Sequence, residues 1–121
     1  MIRGTLAGLF LVIGVAGCIG GTADCAELPT RFELTLSADG LTPDNPAVCR
    51  GDEVTLVVTS EVDGVFHIHG YDQELPATTV TAAEVTEMTF MAARSGQFPI
   101  EFHTDLNTEG VSLGIFTVHE P

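Results

Sequence analysis

The fold is decided by residues 51–72, whose sequence is GDEVTLVVTSEVDGVFHIHGYD. Val54–Thr59 is rich in β-branched residues, which fit the pleated surface of a sheet, and it predicts one strand. Val65–Tyr71 predicts a second strand, because apolar and polar side chains alternate along it. Asp63-Gly64 lies between the two and is a turn signal, since glycine tolerates the positive φ of tight turns. The stretch therefore predicts two strands joined as a β-hairpin.

Short strands are also predicted on both sides of this stretch. Phe32, Leu34 and Leu36 alternate with polar residues, and the strand they predict ends at the turn signal Asp39-Gly40. The further predicted strands are Val85–Phe90, Phe98–His103 and Leu113–His119.

Two segments interrupt the strand pattern. Leu41–Pro46 contains two prolines and is predicted to be irregular, whereas Ala82–Thr86 is the one place that allows a turn of helix. No window shows sustained helical periodicity. Several short strands at this spacing predict an all-β fold, one sandwich or barrel domain over residues 30–121.

The N-terminus predicts a lipoprotein signal peptide over residues 1–17. One cation precedes the apolar run Leu6–Ala16, which is shorter than the roughly 20 apolar residues that span a bilayer. The run leads into Val-Ala-Gly-Cys, which resembles a lipobox and implies lipidation of Cys18. A plain secretory signal cleaved after Ala23 is the alternative. We expect a protein of the cell envelope, lipid-anchored and facing outside the cytoplasm, with residues 18–29 as a flexible tether.

Two cysteines remain if Cys18 carries lipid. In an oxidising compartment an even number of thiols usually forms disulfides, so a Cys25–Cys49 bridge is expected. Two buried free thiols are the alternative.

The charge balance is strongly acidic. The chain has 17 Asp and Glu residues against four cationic ones, for a formal net charge of −13. This charge excludes nucleic acid as a partner, and an anionic membrane surface would repel the protein unless lipid held it there. The acidity fits either recognition of cationic partners or adaptation to salt.

Three of the four histidines fall in two predicted strands. Side chains alternate across a sheet, so His67 and His69 share the face opposite Phe66 and Ile68. By the same parity, Glu101 and His103 lie opposite the apolar set of their own strand, which consists of Phe98, Ile100 and Phe102. Imidazoles on neighbouring strands can converge on one ion, although a solvated histidine on an outer sheet face is the ordinary alternative. His119 is interpreted as a tail residue.

The chain resembles the cupredoxins, such as plastocyanin, azurin and cytochrome oxidase subunit II. The resemblance covers about residues 30–118 and depends on GDEVTLVV at 51–58, the histidine-bearing strand after it, and GQFPIEF at 96–102. The segment His-Ile-His-Gly-Tyr-Asp at 67–72 is similar to that of small exported cupredoxin-like lipoproteins. This resemblance implies a Greek-key β-sandwich with a copper-ligand histidine at His67, or alternatively at His69.

Compared with blue copper proteins of this family, the chain lacks two of the expected copper ligands. The thiolate of a blue copper centre would stand where this sequence has Phe102, and residues 104–118 contain no methionine to serve as axial ligand. A blue site needs a thiolate and two imidazoles, so electron transfer of the plastocyanin kind is not expected.

A metal site built from His67, His69 and His103 remains, with Glu101 or Asp105 as a further ligand. Imidazole and carboxylate suit Cu(II), so copper is the expected ion and zinc the next candidate. Soft ligands for Cu(I) could come from Met88 and Met91, whose strand parities differ; Met88 is more simply a core residue.

Two functions are therefore predicted for this domain. The first is a lipid-anchored module that binds one copper ion for carriage, sensing or delivery, beside a membrane copper protein. The second is a metal-free module for interaction or structure. Enzymatic activity is not expected, because no Ser or Cys has a recognisable base partner and no glycine-rich phosphate loop precedes a helix. The protein is expected to be a monomer.

Overall fold

The computed structural model describes residues 24–105 and 108–121. The predicted signal peptide, the lipidation site Cys18 and the first half of the predicted tether lie outside the described residues. A one-turn 3-10 helix, Cys25–Glu27, is followed by nine strands. They are β1 Arg31–Ser37, β2 Gly40–Thr42, β3 Ala47–Cys49, β4 Glu53–Ser60, β5 Gly64–Ile68, β6 Thr78–Val80, β7 Glu84–Met91, β8 Gly96–His103 and β9 Val111–His119.

The strands form two sheets. One sheet has the order β2-β1-β4-β7 and the other has the order β3-β9-β8-β5-β6. The pairs β1–β4 and β3–β9 are parallel, and the remaining neighbours are antiparallel. The chain passes repeatedly from one sheet to the other, as in a Greek-key sandwich. The predicted all-β sandwich is confirmed.

The core lies between the two sheets and follows the period-two pattern of the strands. Leu34 and Leu36 of β1 are buried, as are Phe66 and Ile68 of β5. A group of four aromatic rings meets mostly edge to face, which is the arrangement that aromatic quadrupoles favour. Its members are Tyr71, Phe90, Phe98 and Phe116. The aromatic group joins β7, β8 and β9 to the turn after β5, while Phe66 and Ile68 hold β5 itself against the core.

The predicted hairpin at Asp63-Gly64 is wrong, because β4 and β5 belong to different sheets. The turn instead carries the chain across the sandwich, and the Asp63 carboxylate accepts a hydrogen bond from Ala82 N at 2.8 Å. Gly64 does not have the positive φ that a hairpin turn would need. Glycine is required there because a Cβ would collide with the ring of Phe102 and with the backbone oxygen of His103.

Two smaller predictions also differ from the structure. Leu41–Pro46 is not wholly irregular, since Leu41 and Thr42 pair with β1 as part of β2. Ala82 and Ala83 form a turn, with Ala83 at φ 68°, and β7 begins at Glu84, so there is no helical turn over Ala82–Thr86. Tertiary pairing overrides the local helix preference of alanine here.

The Cys25–Cys49 disulfide is confirmed, with the two Cα atoms 5.8 Å apart. It ties the N-terminal 3-10 turn to β3. The alternative of two free thiols is therefore wrong.

No helix within residues 24–105 and 108–121 has the length and hydropathy needed to cross a bilayer.

Candidate metal centre

The site is built on the outer face of two neighbouring strands, β5 and β8. Phe66 and Ile68 are fully buried, so His67 between them points away from the core. In the antiparallel register His67 lies directly opposite Glu101, and Val65 lies opposite His103. Directly opposite side chains are close neighbours and diagonal ones remain within reach of long side chains, so this register brings His67, Glu101 and His103 together.

A β-bulge lies beside the site. Between β8 and β9, Ile100 is paired with Gly114 and Glu101 with Ser112, so Leu113 is an extra residue of β9. Bulges increase the local twist and re-aim side chains. The irregularity falls at the position where β8 presents Glu101 to the two histidines.

One carboxylate oxygen of Glu101 lies close to both imidazoles. Its Oε1 is 3.4 Å from His67 Nδ1 and 3.6 Å from His103 Nε2. The ligand atoms of the three residues all lie within 4.8 Å of one another. Donors that each sit about 2.0–2.1 Å from one ion lie up to about 4 Å apart, so the three side chains would have to move slightly towards one another to hold a metal ion.

The His67 ring is largely buried, with its side chain 16% exposed. Its Nε2 lies 2.6 Å from Asp72 Oδ1. Its Nδ1 is buried and has no hydrogen-bond partner. A buried polar atom without a partner costs free energy, and an ordered water or an ion beside Glu101 and His103 would satisfy Nδ1.

The His103 ring is held by the chain that follows β8. Its Nδ1 lies 2.8 Å from the backbone oxygen of Thr108. Gly110 passes so close that a Cβ there would lie 2.6 Å from His103 Nε2. A side chain at Gly110 would therefore displace the imidazole.

The structure places His69 at the edge of this group. It follows the last residue of β5, its side chain is 66% exposed, and its Nδ1 is 3.8 Å from Glu101 Oε2. Its ring centroid is 6.0 Å from that of His67. The close group of His67, Glu101 and His103 does not include His69 or Asp105.

The other residues considered as ligands lie elsewhere. Met88 is buried in the core, as its strand parity indicated, and Met91 is 48% exposed. His119 is paired with Cys49 at the end of β9. That end lies beside the start of β8, whereas His103 ends β8, so His119 is far from the site along the strand.

Sequence reasoning missed two contacts of the site, those of Asp72 and the Thr108 carbonyl. Asp72 comes four residues after the end of β5, and the turn from His69 brings it back to His67. The acidic residue at the end of His-Ile-His-Gly-Tyr-Asp was the available signal. No sequence pattern indicates a backbone carbonyl as partner.

A hollow of about 200 Å³ opens beside the two imidazoles. It is lined by Val65, His67, Ala77 and His103. Its walls are mainly apolar, apart from the two rings. Both imidazole rings thus form part of the wall of this hollow, whereas Nδ1 of His67 is buried.

No protein-family model matches the chain, and no curated protein matches it. Several solved structures do match the chain. A multicopper oxidase, mgLAC, is 20% identical with a TM-score of 0.58, and a blue copper oxidase from Nitrosomonas europaea is 16% identical with a TM-score of 0.58. Both alignments cover 74% of this chain but only 38% of the oxidase, so the chain spans much less than half of either enzyme.

Auracyanin from the photosynthetic bacterium Roseiflexus castenholzii matches over nearly its whole length. The alignment covers 75% of this chain and 98% of auracyanin, at 16% identity and a TM-score of 0.56. At such identities these likenesses establish the fold and nothing finer. The chain has a cupredoxin-like fold, as the sequence resemblance implied.

The residues at the site fit a copper ion. Two imidazoles and a carboxylate are nitrogen and oxygen donors of the kind that Cu(II) prefers. The buried Nδ1 of His67 without a partner is the atom that a bound ion would satisfy.

Proposed function

We propose that the protein binds one copper ion through His67, Glu101 and His103 and serves in copper carriage, sensing or delivery. The observation that carries this proposal is the buried Nδ1 of His67, which faces the carboxylate of Glu101 and has no hydrogen-bond partner. The Nε2 of His103 approaches the same carboxylate oxygen. His69 lies at the rim, where it could take part in capturing the ion.

Copper is favoured over other ions by the donor set. Affinity for nitrogen and oxygen ligands rises along the first-row divalent metals to a maximum at Cu(II), and zinc follows. The described cysteines are joined in a disulfide, and Phe102 packs against the core at the place that the resemblance gives to a thiolate. The site therefore suits binding and exchange of the ion and not blue-copper electron transfer.

The surroundings of the site support exchange with solvent or a partner. The imidazoles of His67 and His103 line an open hollow and keep 16% and 18% of their side-chain surface exposed. An ion held beside the buried Nδ1 of His67 would exchange through local movement of these partly exposed side chains. We propose carriage, sensing or delivery as the use of this exchange, with no enzymatic role.

The charge of the surface limits which kinds of partner the protein can bind. Each of the three arginines in the described part of the chain forms an ion pair with a glutamate. Little positive charge is thus left to attract an anionic surface, and lipid at Cys18 would hold the protein to the membrane in the cell envelope. A membrane copper protein with a cationic face is the partner that this charge suits, and nucleic acid is not.

The proposal is tested by titrating the purified protein with Cu(II) in competition with a chelator of known affinity. His67→Ala and His103→Ala should each weaken binding by tenfold or more, since each removes one of three ligands. His119→Ala is the matched control, because it removes an imidazole at the opposite end of the sheet, and it should leave the dissociation constant unchanged. His69→Ala should have a smaller effect than His67→Ala.

A metal-free interaction module is the second candidate. The contacts that favour it are those of the imidazoles with Asp72 and the Thr108 carbonyl, which hold both rings without any ion. Wild-type binding weaker than about 1 μM, or binding that does not depend on His67, would favour this second function over copper binding.

A further inference from the structure

The two imidazoles of the site are each held through one ring nitrogen by an acceptor of the chain. His67 Nε2 lies 2.6 Å from Asp72 Oδ1, and His103 Nδ1 lies 2.8 Å from the Thr108 backbone oxygen. An ionised carboxylate and a backbone carbonyl can only accept hydrogen bonds, so the ring nitrogen that faces each of them carries the hydrogen. The hydrogens therefore sit on opposite nitrogens of the two rings.

The remaining ring nitrogens of the two histidines both lie beside the Glu101 carboxylate. In a neutral imidazole the nitrogen without hydrogen carries the lone pair, here Nδ1 of His67 and Nε2 of His103. They lie 3.4 Å and 3.6 Å from the same carboxylate oxygen, Glu101 Oε1. With both rings neutral, no hydrogen lies between this oxygen and either nitrogen, so a cation placed among the three atoms would be stabilised.

We propose that Asp72 and the Thr108 carbonyl are positioning groups that fix opposite tautomers in His67 and His103. The metal site is then built from Nδ1 of His67 and Nε2 of His103. This inference depends on the proposed copper binding for the ion itself, but the two tautomers exist in the metal-free protein. Asp72 and Thr108 do not touch the ion and act through the imidazoles alone.

The two positioning groups differ in how strongly they constrain their rings. The Asp72 side chain is 60% exposed, so water competes for its contact with His67. Outer partners of metal-binding histidines typically change metal affinity by about 10- to 100-fold, and we expect the lower end for Asp72. The Thr108 carbonyl places the hydrogen of His103 on Nδ1, which is the less common position for an unconstrained imidazole in water.

The first test is nitrogen-15 NMR of the metal-free protein at alkaline pH, by two-bond correlations within the imidazole rings. We expect the pattern of an Nε2–H ring for His67 and of an Nδ1–H ring for His103. Two Nε2–H rings, or a doubly protonated His67 shared between Asp72 and Glu101, would overturn the inference. This readout does not require the protein to bind any metal.

The second test adds Zn²⁺ as a diamagnetic probe and Cu(II) as the ion of interest. The nitrogens shifted by Zn²⁺ should be Nδ1 of His67 and Nε2 of His103. Asp72→Ala should weaken Cu(II) binding about tenfold. Asp72→Asn should restore most of the affinity, because the amide oxygen still accepts the hydrogen bond from His67.

The matched control is Asp39→Ala, which removes one carboxylate from the exposed β1–β2 turn in the other sheet. It should leave Cu(II) affinity unchanged, which separates the hydrogen bond of Asp72 from a general loss of negative charge. Equal effects of Asp72→Ala and Asp39→Ala would overturn the positioning role. Copper binding that depends on His67 but with the tautomers reversed would overturn this inference and leave the proposed function standing, whereas absence of any metal binding would overturn both.

Discussion

Replacing Gly110 by alanine should weaken copper binding without unfolding the domain. A Cβ at this position would lie 2.6 Å from His103 Nε2, which is 0.8 Å short of the 3.4 Å at which ordinary contacts begin. The backbone of Gly110 is not in the positive-φ region, so alanine itself causes no strain there. The imidazole of His103 has to move instead.

The size of the effect follows from how strictly a metal site fixes its ligand distances. Metal–ligand distances hold to within about 0.2 Å, and a displacement of 0.8 Å or more exceeds that several times. We expect the Cu(II) dissociation constant to rise by more than tenfold, a loss above about 1.4 kcal/mol. The free energy of unfolding should fall by no more than about 1–2 kcal/mol, because the φ of Gly110 permits alanine and the main loss is the hydrogen bond between His103 and the Thr108 carbonyl.

The assay is a chelator-competition titration with Cu(II), accompanied by urea unfolding of the same variant. Gly40→Ala is the control, since nothing lies within 4 Å of a Cβ at Gly40. It should bind copper as the wild type does. Wild-type affinity in Gly110→Ala would refute the placement of His103 in the site, and equal losses in both variants would point to a general effect of glycine replacement.

Three further predictions concern the stability of the fold and one of its ion pairs. Reducing the disulfide, which spans 24 residues of sequence, should lower the free energy of unfolding by about 3 kcal/mol in urea titrations; an unchanged midpoint would contradict this. Tyr71→Phe should cost about 1–3 kcal/mol, because the buried hydroxyl exchanges two hydrogen bonds of 2.9 Å with the backbone of Arg94; a neutral change would contradict it. The hydrogen bond from Arg50 lowers the pKa of Glu120 from 4.5 to about 2, so the favourable contribution of this carboxylate is present above pH 4.5 and is lost as the pH falls towards 2. Carboxyl NMR should show that pKa returning towards 4.5 in Arg50→Gln.

The strands that carry the site could be predicted from the sequence because burial fixes their faces. Phe66 and Ile68 alternate with histidines, and only one orientation of β5 puts both apolar side chains in the core. The same argument placed Glu101 and His103 on the outer face of β8. The cupredoxin-like fold followed from the resemblance of the whole pattern.

The connections between the two sheets could not be predicted from the sequence pattern. Asp63-Gly64 has the composition of a hairpin turn, but the strands on either side of it pair with β1, β7, β6 and β8 and not with each other. Partner choice depends on packing over the whole sandwich. Three-residue strands such as β2, β3 and β6 are too short for periodicity to indicate them.

The composition of the metal site could be predicted only in part. Parity put His67, His69 and Glu101 on the same side of the sheet, yet His69 lies past the end of β5, where the turn exposes it. The bulge of β9 and the return of Asp72 to His67 depend on loop geometry. Whether His69 or Asp105 contributes to binding stays a prediction.

Copper binding at this site can be observed in a crystal structure of the protein grown with Cu(II), with anomalous scattering recorded at the copper edge. We expect one strong peak about 2.0–2.1 Å from Nδ1 of His67 and from Nε2 of His103, with the Glu101 carboxylate completing the set. A peak bound only to exposed residues such as His69 or His119, or no peak at all in crystals of the folded protein, would contradict it.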